Sequence, residues 1–156
     1  AVISSQIYDV IGKPQCQNGV FSMGFTYTAH ATACAAALKN IEILERDRLL
    51  ENVRALSPAF HEQAASLNAL DYVGDVRGRG FMMGIELVKD KATKTPFPPS
   101  AQVAHKIYQR CLHRGAIVRP IGDIVVLSPP LTFNEEELSV LIDTVKASIE
   151  EVSALL

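Results

Sequence analysis

Apolar residues recur along this chain with two periods, and the switch between them divides it into helices and strands. From about Ala29 to Glu45 they fall at Ala33, Ala37, Ile41 and Leu44, spaced by four and three, which aligns them on one helical face. A second stretch from Leu49 to Leu67 keeps the same period through Leu49, Val53, Leu56, Phe60 and Ala64. Pro58 lies inside it, so a kink or break with Ser57 as cap is expected. Ala101 to Arg114 reads as another helix, closed by Gly115. Thr132 or Asn134 caps a last one, with Glu135, Glu136 and Glu137 in its first turn, where the helix dipole favours acids. Leu138, Leu141, Ile142, Val145 and Ile149 form its apolar face.

Strand patterns lie between these helices. Val73 to Arg77 and Met82 to Val88 form two strands joined at Gly78-Arg79-Gly80. Ala116 to Arg119 and Ile124 to Leu127 form a further pair around Pro120-Ile121-Gly122-Asp123, and Lys89 to Ser100 is a polar, proline-rich loop. At the start, Ala1 to Ser4 reads as the end of a buried strand. Ser5 caps a short helix through Ile11 that Gly12 ends, and Lys13 to Met23 is a loop. The chain opens abruptly on Ala1, as if inside an element. The order, helix-rich first and then strands covered by helices, predicts the end of one domain (1–45) followed by a small α+β domain (46–156) with a small antiparallel sheet.

Composition narrows the classes. The 156 residues are 48% hydrophobic and 21% charged, the balance of an ordinary globular domain. A net charge of −2 without a dense Lys/Arg block argues against nucleic acid, which needs clustered cations. No apolar run reaches membrane-spanning length, and no secretory signal pattern opens the chain. Cys16, Cys34 and Cys111 are an odd set without CxxC spacing, which argues against zinc and a disulfide framework and for a reducing, cytoplasmic setting. Cys34, in an alanine-rich helix, is expected to be a small core residue.

The candidate chemistry is sparse. Thr26 and Thr28 in Gly24-Phe25-Thr26-Tyr27-Thr28-Ala29-His30-Ala31 place hydroxyls beside a helix entrance. Such an entrance suits a phosphate or carboxylate, and the same threonines suit plain helix capping. Gly78-Arg79-Gly80-Phe81-Met82-Met83-Gly84 opens a strand rather than a helix, so a turn or bulge explains it better than a dinucleotide loop. His30, His61, His105 and His113 lie on different elements and offer no metal spacing. Arg119 ends an apolar strand ahead of Pro120. Its planar fork suits a carboxylate, and pairing with Asp123 at the surface is the other reading.

Three segments in order carry a family resemblance. They are Phe25 to Leu38, Val73 to Leu87, and Arg114 to Asp123 running into Ser128-Pro129-Pro130-Leu131. Together they resemble the class III pyridoxal-phosphate-dependent aminotransferases over nearly the whole chain. Ala29 departs from the family's usual Gly or Ser, and Ala31 from its usual Pro. The resemblance implies the C-terminal part of the aspartate-aminotransferase-like fold, with residues 1–45 as the tail of the large cofactor-binding domain. It implies that Phe25 and Thr26 contact the phosphate of the pyridoxal 5'-phosphate held by a neighbouring subunit, and hence a homodimer or higher homo-oligomer. The family's Schiff-base lysine and pyridinium-pairing aspartate precede the matched segments, so no catalytic residue is expected in this chain, which should be inactive alone.

The branch also shows in the resemblance. Ornithine, acetylornithine and 4-aminobutyrate enzymes place a carboxylate-binding arginine at the position of Val126. This chain has Arg119 instead, as in omega-amino acid–pyruvate transaminases. The expectation is therefore amino-group transfer from an amine or omega-amino acid to a keto acid such as pyruvate, with Arg119 on the acceptor's carboxylate. A diaminopelargonate-type transaminase and a non-catalytic α+β interaction module are the alternatives.

Overall fold

The structure is a computed structural model that describes residues 3–11 and 24–156. The chain divides into two compact units, Ala1–Glu42 and Ile43–Leu156. In the first, α1 (Ser5–Ile11) is a short helix without buried residues. Its entrance is held by the Ser4 hydroxyl, which accepts from the Ile7 amide at 3.4 Å. The cap therefore sits one residue before the expected Ser5. Ile3 and Ser4 are not in a strand and are exposed, which corrects the buried strand read over Ala1 to Ser4 as far as it is described. Gly12 as a helix stop, the loop over Lys13 to Met23 and Cys16 lie outside the described residues. α2 (Ala31–Arg46) follows the pattern closely but has no buried residue, and Cys34 on it is exposed rather than part of a core.

The second unit is a two-layer structure. Asp47 and Arg48 link α2 to α3 (Leu49–Ala65), with Arg48 in the left-handed region at φ 52°. α3 runs unbroken through Pro58, against the expected break with Ser57 as cap. Proline removes one amide from the ladder. Within the same turn the Ser57 hydroxyl donates to the Val53 carbonyl, so Ser57 supports the helix from inside instead of capping a new one. A 3₁₀ turn, Ser66–Ala69, completes the segment.

Four strands form one antiparallel sheet in the order β1-β2-β4-β3. They are β1 (Val73–Arg79), β2 (Met82–Leu87), β3 (Arg119–Ile121) and β4 (Ile124–Leu127). Two-residue turns close both hairpins, and each begins with a glycine at positive φ: Gly80 at 58° and Gly122 at 55°. That conformation matches the strand twist and is open to glycine at little steric cost. The first hairpin is fixed to α3, because His61 Nε2–H donates to the Gly80 carbonyl at 2.8 Å and Phe81 packs edge-on to Phe60. α4 (Val103–His113) carries the chain from β2 across to edge strand β3. An edge position tolerates Pro120, which offers no amide to the ladder. α5 (Glu135–Ser153) starts at Asn134, which forms a capping box: Asn134 Oδ1 accepts from the Glu137 amide at 2.9 Å and Glu137 Oε2 from the Asn134 amide at 2.8 Å.

Alternation along the strands sets the two faces. Met83, Ile85 and Leu87 of β2 and Val125 and Leu127 of β4 are buried against α3, α4 and α5. Phe60, Ile107, Val145 and Ile149 supply much of the helical side of that core. The other sheet face bears Asp75, Arg77, Gly84, Glu86, Ile124, Val126, Arg119 and Ile121.

Candidate functional site

The first candidate region is the turn that leads into α2. Residues 26–29 form a tight double turn, with the Thr28 amide donating to the Phe25 carbonyl at 2.9 Å and the His30 amide to the Tyr27 carbonyl at 3.2 Å. The Thr28 hydroxyl is consumed locally: it donates to the Phe25 carbonyl at 2.7 Å and accepts from the Phe25 amide at 3.2 Å. Neither threonine caps α2. His30 does, its Nδ1 accepting from the Ala33 amide at 3.3 Å. The sequence reading weighed His30 only as a metal ligand and set it aside, and its place just before the alanine run was the available signal for a cap. The plain-capping reading of Thr26 is therefore replaced by a turn in which Thr26 has no partner among the described residues. Ala29, at φ 59°, occupies a conformation glycine would adopt without strain.

This turn fits a phosphate group. Thr26 offers an amide and a hydroxyl as donors, and Gly24 to Thr32 contains no carboxylate to repel the anion. Phe25 and Tyr27 are 73% and 81% exposed, so apolar surface flanks the donors.

The second candidate region is the open sheet face of the second unit. Arg119 opens β3 rather than ending a strand, since Ala116 to Val118 lie outside the ladder. It is exposed and stands opposite Val126, which in turn stands opposite Gly84, which stands opposite Arg77. One row thus crosses all four strands with an arginine at each edge. The two arginines differ in their surroundings. Arg77 Nη1 bonds Asp75 at 2.8 Å and Glu86 at 2.5 Å, which holds its guanidinium further above an already high pKa, Asp75 contributing most. Among the described residues no carboxylate oxygen lies within 4.0 Å of Arg119, so the pairing with Asp123 is not formed. Sequence reading missed the Asp75–Arg77–Glu86 cluster, although Asp75 and Arg77, two apart on a strand, had to share a face.

Among the surface cavities of the second unit, two lie beside α4. One of about 500 Å³ is lined by Arg114, Ala116, Ile117, Pro129, Pro130, Phe133 and Val140, among others. The other, about 330 Å³, is lined by Pro99, Gln102, His105, Pro120, Gly122 and Asp123. Arg119 lines neither. Cys111 is buried, and burial pushes its thiol up, away from a reactive thiolate. Among the described residues no three His, Cys, Asp or Glu stand together as a metal cluster, and no helix is long and apolar enough to cross a membrane.

The family model described as "Aminotransferase class-III" matches residues 4–149. An adenosylmethionine-8-amino-7-oxononanoate aminotransferase of Nitratidesulfovibrio vulgaris is 44% identical over 152 residues, 97% of this chain and 28% of that protein. The crystal structure of an (S)-enantioselective omega-transaminase from Thermomicrobium roseum superposes with a TM-score of 0.82 at 39% identity, over 96% of this chain and 33% of that one. A PLP-bound amine transaminase from an uncultivated Pseudomonas species gives 0.83 at 34% identity, over 96% of this chain and 34% of that one. The chain therefore spans about a third of the length of these proteins.

Proposed function

The chain belongs to the class III aminotransferases, and we propose on that premise that it forms the C-terminal part of a longer enzyme. That enzyme moves an amino group from an amine or omega-amino acid to a keto acid such as pyruvate. The matched length, about a third of each relative, supports the assignment as a part. Residues 1–45 then belong to the large cofactor domain and 46–156 form the small domain. The single observation that carries the functional reading is Arg119, exposed on the open sheet face with no carboxylate of its own among the described residues. A guanidinium so placed is free to take a substrate carboxylate bidentately.

Pyridoxal 5'-phosphate, when bound, supplies the electron sink for amino transfer. The work of this chain's residues is binding and orientation. Thr26 would hold the cofactor phosphate through its hydroxyl and amide, with Phe25 as the neighbouring contact. The reading places that phosphate in a partner subunit of a homodimer, which would also cover the exposed Phe25, Tyr27 and Leu38. Arg119 holds the acceptor's carboxylate and so fixes the orientation of its keto carbon. The group that accepts and returns the proton comes from the preceding part of the polypeptide. A reducing, cytoplasmic setting is part of the reading and rests on the odd cysteine set.

A second reading has specific support. The Nitratidesulfovibrio relative carries adenosylmethionine-8-amino-7-oxononanoate aminotransferase in its name, at an identity above that of the two superposed structures. Its acceptor is also a keto compound bearing a carboxylate, so Arg119 keeps the same task. Assay of the full-length enzyme with pyruvate against isopropylamine, and with 8-amino-7-oxononanoate against S-adenosylmethionine, separates the two. Absence of amino transfer in both pairs contradicts the proposal. Residues 1–156 alone are expected to be inactive in either assay.

A further inference from the structure

We propose that Gly84 and Val126 form the floor of the carboxylate subsite beside Arg119 and set the length of the carbon chain it admits, an inference that rests on the reading of Arg119 as the carboxylate's partner.

Gly84 lies in β2, an inner strand, where glycine costs backbone entropy and offers no side chain to pack. Its φ is not positive, unlike Gly80, Gly115 and Gly122. A Cβ built on it would meet only Ile124 Cγ2 at 3.5 Å and the Arg77 carbonyl at 3.9 Å, ordinary contacts. At Gly78, by contrast, it would meet the Met82 carbonyl at 2.1 Å, and at Gly74 the Val88 side chain at 2.7 Å. Those two glycines answer to the chain's own packing, whereas Gly84 does not. An inner-strand glycine with room for a methyl group marks a place that something outside the strand approaches closely.

The row identifies what approaches. Gly84, Val126 and Arg119 are consecutive cross-strand neighbours on one face, so Gly84 lies two strand spacings, about 10 Å, from Arg119. At the far end Arg77 is engaged by Asp75 and Glu86 and cannot compete for an anion, while Arg119 can. The surface between them is Val126, Gly84 and Ile124, apolar and low. A carboxylate held at Arg119 has this strip on one side, so its alkyl chain lies over Val126 towards Gly84. The occupant is thus an unbranched aliphatic carboxylate, and the space above Gly84 limits its length.

The test uses the full-length holoenzyme and unreactive straight-chain carboxylates from acetate to hexanoate, with affinities measured by calorimetry. Gly84→Val is expected to lower the hexanoate-to-acetate affinity ratio about tenfold, the scale at which a pocket senses a methylene or two. Val126→Ala is expected to raise it. Gly84→Ala serves if the valine variant does not fold, with a fall of about threefold. An unchanged ratio in the alanine variants overturns the proposal. So does a drop in melting temperature of Gly84→Val at constant ratio, which would mean that the rest of the polypeptide covers this face. Arg119→Ala is the reference: if it leaves acetate binding intact, the reading of Arg119 itself has failed, which is a separate result.

Discussion

Arg119 on β3 and Val126 on β4 are directly opposed in the antiparallel ladder, with their side chains on the same open face. Opposed residues hold their Cβ atoms about 5 Å apart. The family resemblance distinguishes branches by an arginine at one or the other of these two positions. The register makes that difference a change of strand under one surface, so a carboxylate on this face can be reached from either side of the second hairpin.

Gly78 and Gly84 are two residues of the same hairpin with opposite tolerances. Gly78→Ala should cost about 1–3 kcal/mol, because its methyl group would overlap the Met82 backbone. Gly84→Ala should stay within about 1 kcal/mol of the parent, since its methyl group meets ordinary contacts. Midpoints of denaturant unfolding in the full-length enzyme check both, and equal losses would contradict the assigned register.

Much of the second unit was legible in the sequence because period and burial agree there. The presence of α4, the apolar face of α5, the glycines of both hairpins and the start of α5 all followed from local rules. Errors came where local rules compete. Pro58 predicts a break, but Ser57 bonding within the turn and the packing of Phe60 and Ala64 keep α3 whole. Arg119 read as a strand end because Ala116 to Val118 are apolar, yet the ladder begins only at Arg119. Cys34 read as core because alanine-rich periodicity looks the same on a buried and an exposed helix. Thr26 and Thr28 were both legible as donors at an entrance. Which one spends its hydroxyl on its own turn depends on backbone geometry that composition does not encode.

Asn134 and Glu137 reciprocally satisfy two amides at the start of α5. Asn134→Ala should therefore destabilise the protein by about 1 kcal/mol. Asn134→Asp should recover most of the loss, because its carboxylate accepts the same amide. Thermal unfolding of the three proteins measures this, and indistinguishable melting temperatures would refute the cap's contribution.

Glu151 accepts from Arg114 Nη2 at 2.7 Å and pairs with Arg110 Nε at 2.9 Å. The Arg114 hydrogen bond, aided by both positive charges, holds its carboxyl below the usual carboxylate range. A depressed folded-state pKa contributes stability above the unfolded value, and that contribution is lost as pH falls through the folded one. Glu151→Gln should thus flatten the acid limb of a stability-against-pH curve and leave its slope near neutrality unchanged. The pair is partly exposed, so the effect should shrink in high salt. An acid limb identical to the parent's would refute the linkage.

Thr26 and Thr28 should separate cleanly in the full-length enzyme. Thr26→Ala should weaken cofactor retention about tenfold with little change in melting temperature, the scale of one charge-assisted hydrogen bond. Thr28→Ala should instead lower the melting temperature, since its hydroxyl ties the turn to Phe25. Cofactor dissociation followed by absorbance, beside thermal unfolding, reads both. A Thr26→Ala variant with unchanged retention would remove Thr26 from the phosphate site.

The direct test of Arg119 as the carboxylate's partner is the ratio of kcat/KM for pyruvate to that for a simple aldehyde acceptor in the full-length enzyme. Arg119→Ala should cut kcat/KM for pyruvate by about 2–4 kcal/mol, the cost of losing a hydrogen-bonded charge partner, while the aldehyde, which has no carboxylate, changes little. Arg119→Lys should recover only part of the loss, because an ammonium lacks the planar fork. A ratio that falls a hundredfold or so in Arg119→Ala is the result expected. A ratio equal to the parent's would show that another group binds the carboxylate and that the open sheet face is not the acceptor's site.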